Sequence, residues 1–191
     1  DEPWMASCGY TLFRTGQPGL AIFPVHTLAQ DAAWLGAPCV TIAAWSSIFG
    51  IGFETTRLHM LLLGMLGVPF VGLAGRRAYG AAAGWAAAGV YALLLLPHMY
   101  LRHDPFAALA LALALFFWFE ARHRQRLWLY FAAGMSTALI LEGSHFAARY
   151  IAAAGLLLTL DYARQIWREG RWVWNPPYWA FAAGGIVYCL L

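Results

Sequence analysis

Lysine is absent from the chain, and no run of arginines is long enough to stand in for it as a polyanion-binding block, so no nucleic-acid partner is expected. Charge of either sign is scarce. Charged residues make up 11% of 191 positions against 62% hydrophobic ones, and the mean hydropathy is +0.60. An ordinary soluble domain needs more polar surface, which leaves an all-α, polytopic membrane protein as the class. Cysteine is nearly missing too. Cys8, Cys39 and Cys189 show no metal spacing. They read as small buried thiols, with a Cys8–Cys39 disulfide open only if both lie outside. No methionine or signal-type segment opens the chain and its last run is still apolar at Leu191, so an internal piece of a longer membrane protein is expected.

What the chain does have is long apolar runs. Those at about 56–75, 80–97 and 105–121 approach the length of a bilayer-crossing helix, and shorter ones follow at 127–141, 146–162 and 178–191. Ahead of them, Glu2 before Pro3 opens a helix expected to reach about Arg14, and a second apolar stretch covers 34–49. Trp4, Tyr10, Trp34 and Trp45 suit a membrane interface, so residues 1–53 read as an external first loop with two surface helices. Residues 54–191 then form the transmembrane bundle. Were 34–49 itself a span, every later loop would change sides. The arginines decide: Arg76 and Arg77, then Arg122, Arg124 and Arg126, then Arg164, Arg168 and Arg171 fall in alternate turns, which become cytoplasmic. Asp1, Glu2, Asp31, Glu54, Asp104 and Glu142 gather on the opposite side, together with His26, His59, His98, His103 and His145.

The densest knot of charge is at 96–106, where Arg102, two histidines and Asp104 sit between two long apolar runs. Such groups are costly beside a bilayer unless they face water, a partner or a substrate. The Asp1-Glu2 pair opening the first loop, the Gly75-Arg76-Arg77-Ala78-Tyr79-Gly80 turn and the Tyr100-x-Arg102-x-Asp104 turn together resemble GT-C glycosyltransferases. The likeness, over about residues 1–160, is nearest to bacterial relatives of dolichyl-phosphate-mannose protein mannosyltransferases and lipid A aminoarabinose transferases. Many relatives carry a His/Lys-Pro-Pro-Leu element where this chain reads Leu35-Gly36-Ala37-Pro38-Cys39, and a Thr-Lys pair where it reads Leu141-Glu142-Gly143-Ser144-His145.

The resemblance implies inverting transfer of a sugar from a polyprenyl-phosphate donor to a glycan, lipid or protein acceptor on the outer face of the inner (plasma) membrane. It places Asp1 at the catalytic acid position of the first loop and Asp104 at the second external carboxylate, and implies a further transmembrane helix before Asp1. Chemically, the reaction needs a carboxylate to take the acceptor proton and a cation to hold the leaving phosphate. Asp1 supplies the first and Arg102 the second, with Glu2, His103, Arg57, Glu142 and His145 as further substrate contacts. No cofactor is assigned, and a divalent cation is allowed for without an assigned metal site. Plainer roles stand beside these. Asp104 before Pro105 is also a helix cap, Arg102 also an interfacial arginine, Glu142 and His145 a paired polar turn, and His59 a satisfied packing residue. A transporter or flippase lined by Arg102, Asp104 and Glu142, and a non-catalytic scaffold, are the competing functions.

Overall fold

The computed structural model describes residues 2–16, 36–95, 104–143 and 176–190, with isolated positions at 151, 155, 162–163 and 166–168. Every regular element among them is a helix. These are α1 (Glu2–Thr15), α2 (Gly36–Phe49), α3 (Phe53–Tyr79), α4 (Ala81–Leu95), α5 (Asp104–Arg124), α6 (Leu127–Gly143) and α7 (Pro176–Leu190). Two of them, Phe53–Tyr79 and Pro105–Arg124, are long and apolar enough to cross a membrane. At 1.5 Å per residue α3 is about 40 Å long and α5 about 30 Å. The expected run at 146–162 lies almost wholly outside the described residues.

The helices end where the backbone is allowed to turn. Gly50 (φ 81°) and Gly80 (φ 94°) follow α2 and α3, and each donates its N–H to the carbonyl four residues back, Ser46 at 3.0 Å and Arg76 at 2.9 Å. A side chain would resist that left-handed conformation, so glycine is the residue that stops these helices there. Pro69 lies inside α3 without ending it.

Contacts along the helices give their directions. α3 and α4 form an antiparallel hairpin, since Gly67 faces Tyr91, Gly72 faces Ala88, and Gly84 faces Arg76. The glycines let the two backbones approach. α3 and α5 run parallel, with Phe70 and Phe116 rings 5.4 Å apart and Arg77 beside Glu120 further on. α6 returns antiparallel to α5, because Ile140 near its end packs on Ala107 and Ala110 near the start of α5. α7 lies on α6 at Gly134 and Gly184, where a Cβ on either would run into the facing backbone of Phe181 or Phe131.

These directions sort the bundle into two ends. At one end lie the α3–α4 and α5–α6 turns with their arginines. At the other lie the start of α3, the start of α5, the end of α6, and the pair α1–α2, with α2 touching both α3 and α6. Tyr162 returns to the arginine end, its ring 4.9 Å from that of Tyr178, which itself stacks edge-on near Trp118 at 5.7 Å. The flanks of the bundle carry exposed apolar side chains, among them Leu66, Trp85, Leu93, Leu94 and Ile186.

Candidate functional site

At the end away from the arginine turns, α1 and α2 meet along complementary faces. Cys8 of α1 opposes Cys39 and Ile42 of α2, and Met60 and Leu63 of α3 close the cluster. Cys8 and Cys39 are joined in a disulfide with Cα atoms 5.5 Å apart, within the span such a bridge requires. This corrects the expectation of free buried thiols. The two cysteines face each other because α1 packs along α2, a relation that a sequence separation of 31 does not reveal. Cys189 is free, and it is exposed rather than buried.

Beneath α2, the inner face of α3 presents Thr56, His59 and Met60, all buried. The Thr56 hydroxyl donates to the Gly52 carbonyl at 2.8 Å and so is satisfied. His59 is not. It is 7% exposed, and its Nε2 has no hydrogen-bond partner among the described residues. The expectation of a satisfied packing histidine is therefore overturned. Its ring lies 5.2 Å from that of Trp45, tilted by 32°, and Trp45 Nε1 is likewise buried without a hydrogen-bond partner. The Phe49 ring lies 4.0 Å from that of Trp45. An unmet buried donor or acceptor costs about 1–3 kcal/mol, so two in ring contact are an unusual concentration of strain.

Arg57, one of the expected substrate contacts, lies over the Phe53 ring at 4.1 Å and meets Glu54 at 3.5 Å. The Glu54 side chain is 85% exposed, so the pair adds little stability, but it holds the guanidinium at the head of α3. Asp104 is the first residue of α5, Glu142 the penultimate residue of α6, and Glu2 the first of α1. The fold thus brings the Asp104 and Glu142 positions to the end that holds Arg57 and the disulfide. Nothing is described of these three side chains, and Asp1, Arg102, His103 and His145 lie outside the described residues. Among the described residues no cluster of metal-binding side chains forms.

The other end holds a charged group that the sequence reading passed over. Glu120 is buried in the last turns of α5, where Arg77 Nε donates to it at 2.8 Å from α3 and Arg124 donates from one turn further along α5. A carboxylate buried this deeply requires such partners, and here both its oxygens are engaged. Arg77 and Arg124 remain partly exposed, with Arg76, Arg122, His123 and Arg126 exposed around them. A signal for Glu120 was present in the sequence, as a lone acid at the end of an apolar run facing an arginine turn.

No family model, characterised protein or solved structure matches the chain.

Proposed function

We propose that the chain belongs to a polytopic inner-membrane glycosyltransferase of the GT-C type, which moves a sugar from a polyprenyl-phosphate carrier to an acceptor hydroxyl on the non-cytoplasmic side. The observation that carries this reading is the sorting of the two ends. Arginine-rich turns collect at one end, as the positive-inside rule requires of a cytoplasmic face. The disulfide is at the other, as expected of a face in an oxidising compartment. Exposed apolar flanks between the two ends suit lipid. The helix starts and ends nearest the expected carboxylates, at Asp104 and Glu142, fall at the disulfide end.

In this reading the acceptor oxygen attacks the anomeric carbon while the bond from that carbon to the phosphate oxygen breaks. Asp1 takes the acceptor proton, and the polyprenyl phosphate leaves with the bonding electrons. Arg102 holds the phosphate as charge collects on it, and Asp104 orients the acceptor. α1 and α2, tied together and laid over the start of α3 and the end of α6, form one wall of the cleft by which the lipid carrier enters.

The test is sugar transfer from labelled polyprenyl-phosphate donors in membranes carrying the full-length protein, wild type against Asp1→Asn. Asparagine caps a helix as well as aspartate does, so a structural role survives the change. Loss of transfer by a factor of about 10²–10⁴ in a variant that still inserts is the expected result. Unchanged transfer would return Asp1 to a capping role, and no transfer by wild type from any donor would favour a transporter or scaffold.

A further inference from the structure

We infer that the arginine end carries a binding site for the headgroup of an anionic phospholipid, formed by Arg77 of α3 and Arg124 of α5 on the surface above Glu120. This rests on the membrane reading proposed above and not on the transferase chemistry. Two guanidiniums from different helices converge on one carboxylate. Arg77 donates to Glu120 Oε2 from Nε at 2.8 Å and to Oε1 from a terminal nitrogen at 3.5 Å, and Arg124 Nε donates to Oε1 as well. The carboxylate is satisfied, but each guanidinium carries more N–H groups than Glu120 uses. Two cations against one anion also leave the group with a net positive charge. The Arg77 and Arg124 side chains are 39% and 53% exposed, against 7% for Glu120, so the part of the group that meets the surroundings is cationic.

Such a group suits a phosphate. The planar guanidinium fork matches phosphate oxygens in geometry as well as in charge. Glu120 already holds both forks in place, so binding costs less side-chain entropy than it would for two loose arginines.

Depth and surroundings select a lipid over a soluble anion. Glu120 lies one turn before Arg124, the last residue of α5, and so about 6 Å inward along a helix that is itself close to the thickness of the hydrocarbon core. This places the guanidiniums at the level of lipid phosphates. Tyr79, Trp85 and Trp128 follow these arginines in the chain and are 84%, 81% and 58% exposed, which gives the flank the aromatic edge of a membrane interface. Arg76, Arg122 and Arg126 are exposed at the same turns, and among the described residues Glu120 is the only acid at this end. Basic clusters between helices on a cytoplasmic face recognise anionic headgroups by this chemistry.

The test is lipid retention by the full-length protein in nanodiscs of equal parts phosphatidylglycerol and phosphatidylcholine, read by native mass spectrometry. Wild type should retain phosphatidylglycerol with about a tenfold preference. Arg77→Met with Arg124→Met and Glu120→Leu replaces the whole group by apolar side chains, leaves no buried charge unpaired and should abolish the preference. In phosphatidylcholine alone this triple variant should melt close to wild type. Arg126→Gln lowers the formal charge of the same end by the same amount with the group intact, and should cost no more than about twofold, which separates a site from a diffuse field. Arg124→Lys keeps the charge without the planar fork and should cost about threefold, an arm that stands even if the triple variant does not fold. The inference is overturned if wild type shows no preference, if the folded triple variant or Arg124→Lys keeps it in full, or if Arg126→Gln loses as much as the triple variant. Glycerophosphoglycerol, the headgroup without its chains, should not displace the lipid at equal concentration; displacement would make this a site for a soluble anion and overturn the lipid. Protein stripped from membranes by alkaline carbonate would remove the membrane reading and this site together, whereas protein that resists stripping yet holds both lipids alike would remove this site only.

Discussion

The two ends of the bundle handle buried polarity in opposite ways. At the arginine end Glu120 is buried and both of its carboxylate oxygens are engaged, by Arg77 from α3 and Arg124 from its own helix. At the disulfide end buried His59 is in ring contact with half-buried Trp45, and each has a buried nitrogen that meets no hydrogen-bond partner among the described residues. A satisfied network holds helices together. An unsatisfied pair held in place by packing carries a cost that no contact among the described residues offsets. The comparison thus separates a satisfied polar network from an unsatisfied one within one helical bundle.

The largest expected effect comes from breaking the satisfied network. Replacing both Arg77 and Arg124 with methionine leaves the Glu120 carboxylate buried and unpaired, and should destabilise the bundle by about 3–5 kcal/mol in thermal unfolding. Adding Glu120→Leu should return most of that loss, because an apolar side chain in the same place needs no partner.

The disulfide comes next. The bridge closes a loop with a sequence separation of 31, so Cys39→Ser should cost about 3–4 kcal/mol by the chain-entropy estimate. Reductant should lower the melting temperature of wild type and leave that of Cys39→Ser unchanged. Gly134→Leu tests the α6–α7 contact, which belongs to the common scaffold. With the backbone at Phe181 in the way, a loss of about 1–3 kcal/mol is expected. The smallest effect has the opposite sign. His59→Phe should raise stability by about 1 kcal/mol, since it removes a buried group that has no partner. A gain at the disulfide end beside a loss at the arginine end is the contrast in its sharpest form.

Most of the helical architecture was legible in the sequence because apolar runs and their glycine stops are local signals. The runs at 56–75 and 105–121 became Phe53–Tyr79 and Asp104–Arg124, longer because charged residues such as Glu54, Arg76 and Arg124 continue the helical hydrogen bonding past the apolar segment. The first loop also gave its two helices, α1 and α2. What the sequence hid was pairing. Arg77 and Glu120 lie 43 residues apart, and their meeting depends on α3 and α5 running parallel. Cys8 and Cys39 meet only because α1 packs back along α2. His59 looked like an ordinary packing histidine, since its lack of a partner is a property of three packed elements. Of the expected site, Arg57 and the helix positions of Asp104 and Glu142 fall at one end, while Asp1, Arg102, His103 and His145 lie outside the described residues.

The central claim is that the two ends face opposite sides of a membrane, with the disulfide end outside. The most direct measurement places one reactive cysteine at each end in a Cys189→Ala background, Ser47→Cys on α2 and Gln125→Cys in the α5–α6 turn, both exposed positions. Intact cells are then treated with a membrane-impermeant maleimide. Labelling of the Ser47 variant in intact cells, with labelling of the Gln125 variant only after permeabilisation, is the predicted result. The reverse pattern, or equal labelling of both, would contradict the account.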